Sequence, residues 1–151
     1  METKTNLNTE TINTLQDLLR ANIDSRDGLL DAVANTQNSV VAAAFRDLAT
    51  RRNDQASELA AILSDNGETP QAQGTISAAA HRVWMDLRAA VGQGTKAMLE
   101  EAERGEDHIK TKYETALKET AGSAVTDILN HHYAHVKAAH DSIRDLRDAC
   151  T

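Results

Sequence analysis

Apolar residues recur every three or four positions along four stretches of this chain, and each stretch is broken by polar residues near its middle. The first stripe runs Ile12, Leu15, Leu19, Asn22, Arg26, Leu29 and Val33; the second runs Val41, Phe45, Leu48, Arg52, Gln55, Leu59 and Ile62. The third runs Leu99, Ala102, Glu106, Ile109, Tyr113 and Ala116, and the fourth Val125, Leu129, His132, Val136, Ala139, Ile143, Leu146 and Cys150. Steps alternating between three and four keep side chains on one face of an α-helix, so each stripe predicts an amphipathic helix. Punctuation sets the bounds: Asn8 or Thr9 can cap the first helix, "NTQNS" is a short turn, and "DNG" closes the second helix at Gly67. The predicted long helices cover 9–35, 38–65, 95–120 and 123–149. "GETPQAQGT" is a loop, and Ser77 caps a shorter helix over 77–91 that stops at "GQG".

Short first and last turns make two antiparallel helix pairs. About 30 residues separate the second long helix from the third, enough to cross the length of a bundle and set those two helices parallel, as in ferritin-like folds. The expectation is an all-α, ferritin-like four-helix bundle, one domain over 1–151, with a short extra helix in the crossover between helices two and three. A five-helix array with simple up-down turns satisfies the same spacing.

Composition narrows the function classes. A net charge of −7 disfavours electrostatic binding to nucleic acid or to an anionic membrane, and 3% aromatic residues leave little for base stacking. No apolar run approaches the roughly 18 residues of a membrane span. A single cysteine, Cys150, and an N-terminal stretch without an apolar run give a cytoplasmic expectation. No Gly-rich phosphate loop or nucleophile elbow is present in the sequence.

The polar interruptions carry the candidate chemistry. Asn22 and Arg26, Arg52 and Gln55, Glu106, and His132 fall at similar heights on four helices, which predicts one shared polar layer, with Tyr113 two turns beyond Glu106 on the same face. An unpartnered buried charge costs several kcal/mol, so these groups should pair with one another, with water or with a metal. His131 and His135, four residues apart, share a helix face and could hold zinc or copper with further help from Asp127, His108 or Asp107. His81 and Trp84 lie three apart on the crossover helix and, with Tyr113, suggest a small-ligand pocket beneath it. Gly105, beside Glu106, leaves room for a neighbouring element to approach.

Three stretches, "GTISAAAHRVWMDLRAAV", "ERGEDHIKTKYETAL" and "AAHDSIRDL", give the chain a resemblance over nearly its whole length to a bacterial ferritin-like four-helix-bundle family, domain of unknown function 2383. The resemblance implies a bacterial ferritin-like bundle with no established activity. Working ferritin-like enzymes take one Glu from each of two helices and Glu-x-x-His from the other two. Carried onto this chain, only Glu106 fits its role. Asp24 or Asp27 stands on helix one, Arg52 and Gln55 replace Glu-x-x-His on helix two, and His132-x-x-His135 replaces it on helix four.

The leading expectation is therefore a non-enzymatic bundle, stress-related and homodimeric or bound to another protein. Its degenerate metal layer is replaced by a polar core of Arg26, Arg52, Gln55, Glu106, Tyr113 and His132, with no cofactor. The alternatives are an iron- or zinc-binding, di-iron oxidase-like protein using Asp27, Glu106, His131, His132 and His135, and a small-ligand carrier using His81, Trp84 and Tyr113.

Overall fold

The computed structural model describes residues 2–71, 85–90 and 92–150. Four long helices carry the fold: α1 (Thr9–Asn35), α2 (Ser39–Asp65), α3 (Thr95–Glu119) and α4 (Thr126–Asp148). Residues 85–90 form a further helical stretch. Among the described residues there is no β-strand, and one isolated bridge joins Thr3 to Asn6.

Local chemistry explains the helix ends. The Asn8 side chain accepts the Thr11 amide at 2.9 Å, and the Asn38 side chain accepts those of Val40 and Val41 at 3.0 and 3.1 Å, so both starts satisfy otherwise orphaned backbone donors. The end of α2 closes through paired bonds from Glu68 N to Leu63 O (2.9 Å) and Gly67 N to Ser64 O (3.0 Å). Gly67 holds a φ of 73° there, the left-handed conformation that this closure needs. The last helix begins at Thr126, three residues later than the periodicity predicts, because Ser123 and Thr126 bond back to Thr120 and Ser123 in successive turns.

Two apolar clusters fix the helix directions. One gathers Leu15, Leu18 and Leu19 of α1 with Leu59 and Leu63 of α2, Ile109, Tyr113 and Ala116 of α3, and Leu129 of α4. The other gathers Leu29 and Ala32 of α1 with Val41 and Phe45 of α2, Met98, Leu99 and Ala102 of α3, and Ile143 of α4. Helices α2 and α3 both run from the second cluster to the first, so they are parallel; α1 and α4 run the opposite way. The connection between α2 and α3 must therefore return the chain along the bundle, over about 40 Å for a 27-residue helix. Both ends of that connection are anchored. Gln16 bonds Thr69 O and Gln71 N at 3.0 and 2.8 Å, while Leu87 is buried in the second cluster and Arg88 approaches Asp31 at 3.7 Å.

Between the two clusters lies a polar waist of Asn22 and Ser25 on α1, Arg52 and Gln55 on α2, Glu106 on α3 and His132 on α4, all buried. Arg26 is not part of it: its side chain lies at the surface, bonded to Asp27 at 2.9 Å and Asn53 at 3.0 Å. Positions 25 and 26 both continue a three-four stripe from Asn22 to Leu29. The small Ser25 takes the interior position and leaves volume for the Arg52 side chain. A similar one-residue rotation buries Ala32 and Leu63, leaving Val33 and Ile62 half-buried.

Candidate functional site at the polar waist

Arg52 is fully buried, and α2 and α3 bring its guanidinium Nη2 onto Glu106 Oε2, an acid that is also fully buried. Its Nε donates to Ser25 Oγ at 3.1 Å, which ties α1 to the pair. Burial pushes the Glu106 carboxyl above its ordinary range, and the Arg52 charge pulls it back by less.

A second set of bonds leaves this layer for the surface, and its direction follows from one atom. Asn22 Nδ2 lies 2.8 Å from Leu18 O, which can only accept, so that atom is the amide nitrogen. The same nitrogen lies 2.8 Å from the Tyr113 hydroxyl, which therefore accepts from Asn22 and is left to donate to His132 Nδ1 at 2.9 Å. The His132 proton then resides on Nε2 and is donated to Glu58 Oε2 at 2.9 Å. Burial holds His132 below the ordinary histidine range against the opposing pull of Glu58, consistent with a neutral imidazole. Tyr113 is pushed up by burial and stays protonated. Gln55 Nε2 adds a long bond, 3.4 Å, to His132 O. Among the described residues, Arg52 Nη1, Glu106 Oε1, Asn22 Oδ1 and Gln55 Oε1 have no hydrogen-bond partner.

Glu58 opens into a surface cleft of about 190 Å³ between α2 and α4, lined by Arg51, Asp54, Gln55, Glu58, His131, His132 and His135. Arg51 Nη1 lies 3.1 Å from His135 Nδ1, and the His131 and His135 rings meet edge-on with centroids 4.8 Å apart.

The residues singled out from the sequence thus separate. Arg52, Gln55, Glu106, Tyr113 and His132 meet at the waist, and Arg26 does not. Of the metal candidates, Asp27 is exposed and paired with Arg26, Glu106 is taken by Arg52, and both His132 nitrogens are occupied. His131 and His135 face the cleft, with Arg51 against His135. Asp107 bonds His140 Nε2 at 2.7 Å, and His108 lines a separate groove beside Thr14 and Lys112. Among the described residues no three His, Cys, Asp or Glu side chains are placed to hold a metal ion. His81 and Trp84 of the suggested ligand pocket lie outside the described residues.

Periodicity alone does not single out two of these contacts. Ser25 and Arg26 suit the stripe equally by their spacing from Asn22 and Leu29, and Ser25 is the one buried. Glu58 lies off the α2 stripe, and only the register between α2 and α4 brings it to His132.

A family model described as Domain of unknown function (DUF2383) matches residues 10–119, from the first turn of α1 to the end of α3. No curated protein matches the chain.

Proposed function

This chain belongs to the domain of unknown function family DUF2383, a membership that assigns no chemistry, and we propose that it is a non-enzymatic, ferritin-like helical bundle acting through contacts with other proteins, a second copy of itself included. In this reading the Arg52–Glu106 pair stands where a metal would stand in a ferritin-like enzyme. The supporting observation is a guanidinium seated on a fully buried carboxyl at the waist, with both side chains removed from solvent. Metal centres in such bundles hold cations among inward carboxylates and histidines. Arg52 supplies a fixed positive charge there, because a guanidinium does not deprotonate in proteins. A second cation beside it would meet like-charge repulsion at short range.

The test is metal analysis of untagged protein followed by anaerobic Fe(II) titration and exposure to air. The reading expects sub-stoichiometric metal, no change in thermal midpoint on adding Fe(II) or Zn(II), and no oxo-bridge absorption. Near-stoichiometric iron with that absorption band would overturn it in favour of a di-iron protein. Light scattering across a concentration series addresses the partner clause: a dimer supports self-association, and a monomer at all concentrations removes the second copy as partner.

A further inference from the structure

The Asn22–Tyr113–His132–Glu58 chain can run in two directions with the same atoms. In the arrangement present, protons point outward from Asn22 to Glu58, and the Asn22 Oδ1 acceptor is buried without a partner. A proton added to His132 must go to Nδ1, which turns that atom from acceptor to donor. The Tyr113 oxygen would then accept from His132, and its own hydrogen would need a new acceptor. Turning the Asn22 amide presents Oδ1 to it. The cost is the Nδ2 bond to Leu18 O, a carbonyl that keeps its backbone partner within α1.

We propose that this chain is a two-state relay that reports protonation of His132, at the edge of the α2–α4 cleft, to the core of the bundle by reversing its hydrogen-bond direction and turning Asn22. Nε2 already carries a proton, so one arriving from the cleft reaches Nδ1 as the Tyr113 bond opens and the ring turns. From α2, Glu58 meets Nε2, while Asp54 and Arg51 line the same cleft; from α4, His131 and His135 flank the ring; from α3, the facing titratable group is Tyr113; from α1, the relay contacts the neutral Asn22. Glu58 is 47% exposed, whereas the His132 side chain is 1% exposed, so the imidazole is the point where solvent and core meet. The Arg52–Glu106 pair lies on the inner side, bonded to Ser25 one turn from Asn22, and takes no part in the exchange. The relay rests on the metal-free reading in that a metal on His132 would take the nitrogen the proton needs, and metal analysis tests that separately.

The experiment is a pH titration of uniformly 15N-labelled full-length protein, following the His132 ring nitrogens and the Asn22 side-chain amide pair. The expected result is one transition below neutral pH shared by both residues, while backbone amides in the two apolar clusters hold their positions. In Tyr113→Phe the Asn22 pair should become indifferent to pH while His132 still titrates, and in His132→Gln the transition should disappear from Asn22. The relay is overturned if Asn22 stays fixed while His132 titrates in the unaltered protein. It is equally overturned if the Asn22 pair moves only together with global unfolding. Should Tyr113→Phe not fold, His132→Gln alone decides: an Asn22 transition that survives it rules out the relay.

Discussion

Replacing Glu106 with Gln should destabilise the protein by about 3 kcal/mol. The change keeps the side-chain volume and one acceptor for Arg52, so packing is nearly constant and the perturbation is mainly the lost charge. Breaking a buried ion pair from one side typically costs about 3–5 kcal/mol, because the remaining charge stays desolvated and uncompensated. Both members are fully buried, which removes solvent screening as a relief, and the amide oxygen that replaces Oε2 places the value at the lower end. For a domain of this size about 3 kcal/mol lowers the thermal midpoint by roughly 6–12 °C. The assay is urea unfolding followed by circular dichroism with unchanged slope, repeated from pH 5.5 to 8. Arg52→Met should behave differently, since a carboxyl can take up a proton and a guanidinium cannot lose one. With Arg52 gone, burial raises the Glu106 carboxyl further, so the folded chain binds its proton over a pH range in which the unfolded chain does not. That stability is present below the unfolded value and is lost as pH rises through the folded one, so Arg52→Met should weaken the protein progressively toward pH 8. A joint replacement, Arg52→Met with Glu106→Leu, should recover most of the loss. A cost below about 1 kcal/mol for Glu106→Gln would show that the pair is solvated and refute the reasoning from burial.

Ser25→Ala should cost about 1–2 kcal/mol by orphaning the Arg52 Nε donor, whereas Arg26→Ala, at the surface, should stay within about 0.5 kcal/mol; equal effects in urea titrations would reverse the assignment of the two positions. Asn38→Ala removes the acceptor for two amides at the start of α2 and should lower stability by about 1 kcal/mol, read from the urea midpoint. Burial holds His132, His108 and His135 below the ordinary histidine value of 6.5. The unfolded chain therefore protonates first as pH falls, and stability present above that value is lost on acidification. The urea midpoint should drop between pH 7.5 and 5.5, and His132→Gln should flatten that slope.

The helices were legible because their apolar stripes are long and share one period, and the turn between α1 and α2 is too short for anything but an antiparallel pair. The polar waist was legible for a related reason: Asn22, Arg52, Glu106 and His132 interrupt stripes of similar length near their centres. Periodicity resolves a helix face only to about one residue, since 3.6 residues per turn lets a three-step and a four-step both land inward. Volume then decided between Ser25 and Arg26, and volume depends on what arrives from α2. Periodicity also carried Val125 into α4, although it is buried from within the preceding turn. Glu58 illustrates a deeper limit. Its partner, His132, is 74 residues away, and their meeting depends on the axial register of α2 against α4, which no local pattern encodes.

Charge chemistry separates the centre of the waist from its edge. At the centre a guanidinium that cannot lose its proton is seated on a buried carboxyl, so the positive charge is constant over ordinary pH and the pair fixes how α2 and α3 meet. At the edge an imidazole on α4, whose ordinary value lies near neutrality, bonds Tyr113 of α3 and Glu58 of α2 through its ring nitrogens, so those bonds depend on its protonation. A layer built only from the first kind of group would rigidify the bundle and respond to nothing. One built only from the second would lose its register whenever the pH changed. With both, the bundle keeps its helix alignment through Arg52 and Glu106 while His132 remains free to change state. The two roles should therefore come apart on substitution: Glu106→Gln removes the stability that a raised carboxyl loses as pH rises, and His132→Gln removes the opposite slope, the loss on acidification. Matching pH slopes for the two variants would mean that centre and edge titrate as one network.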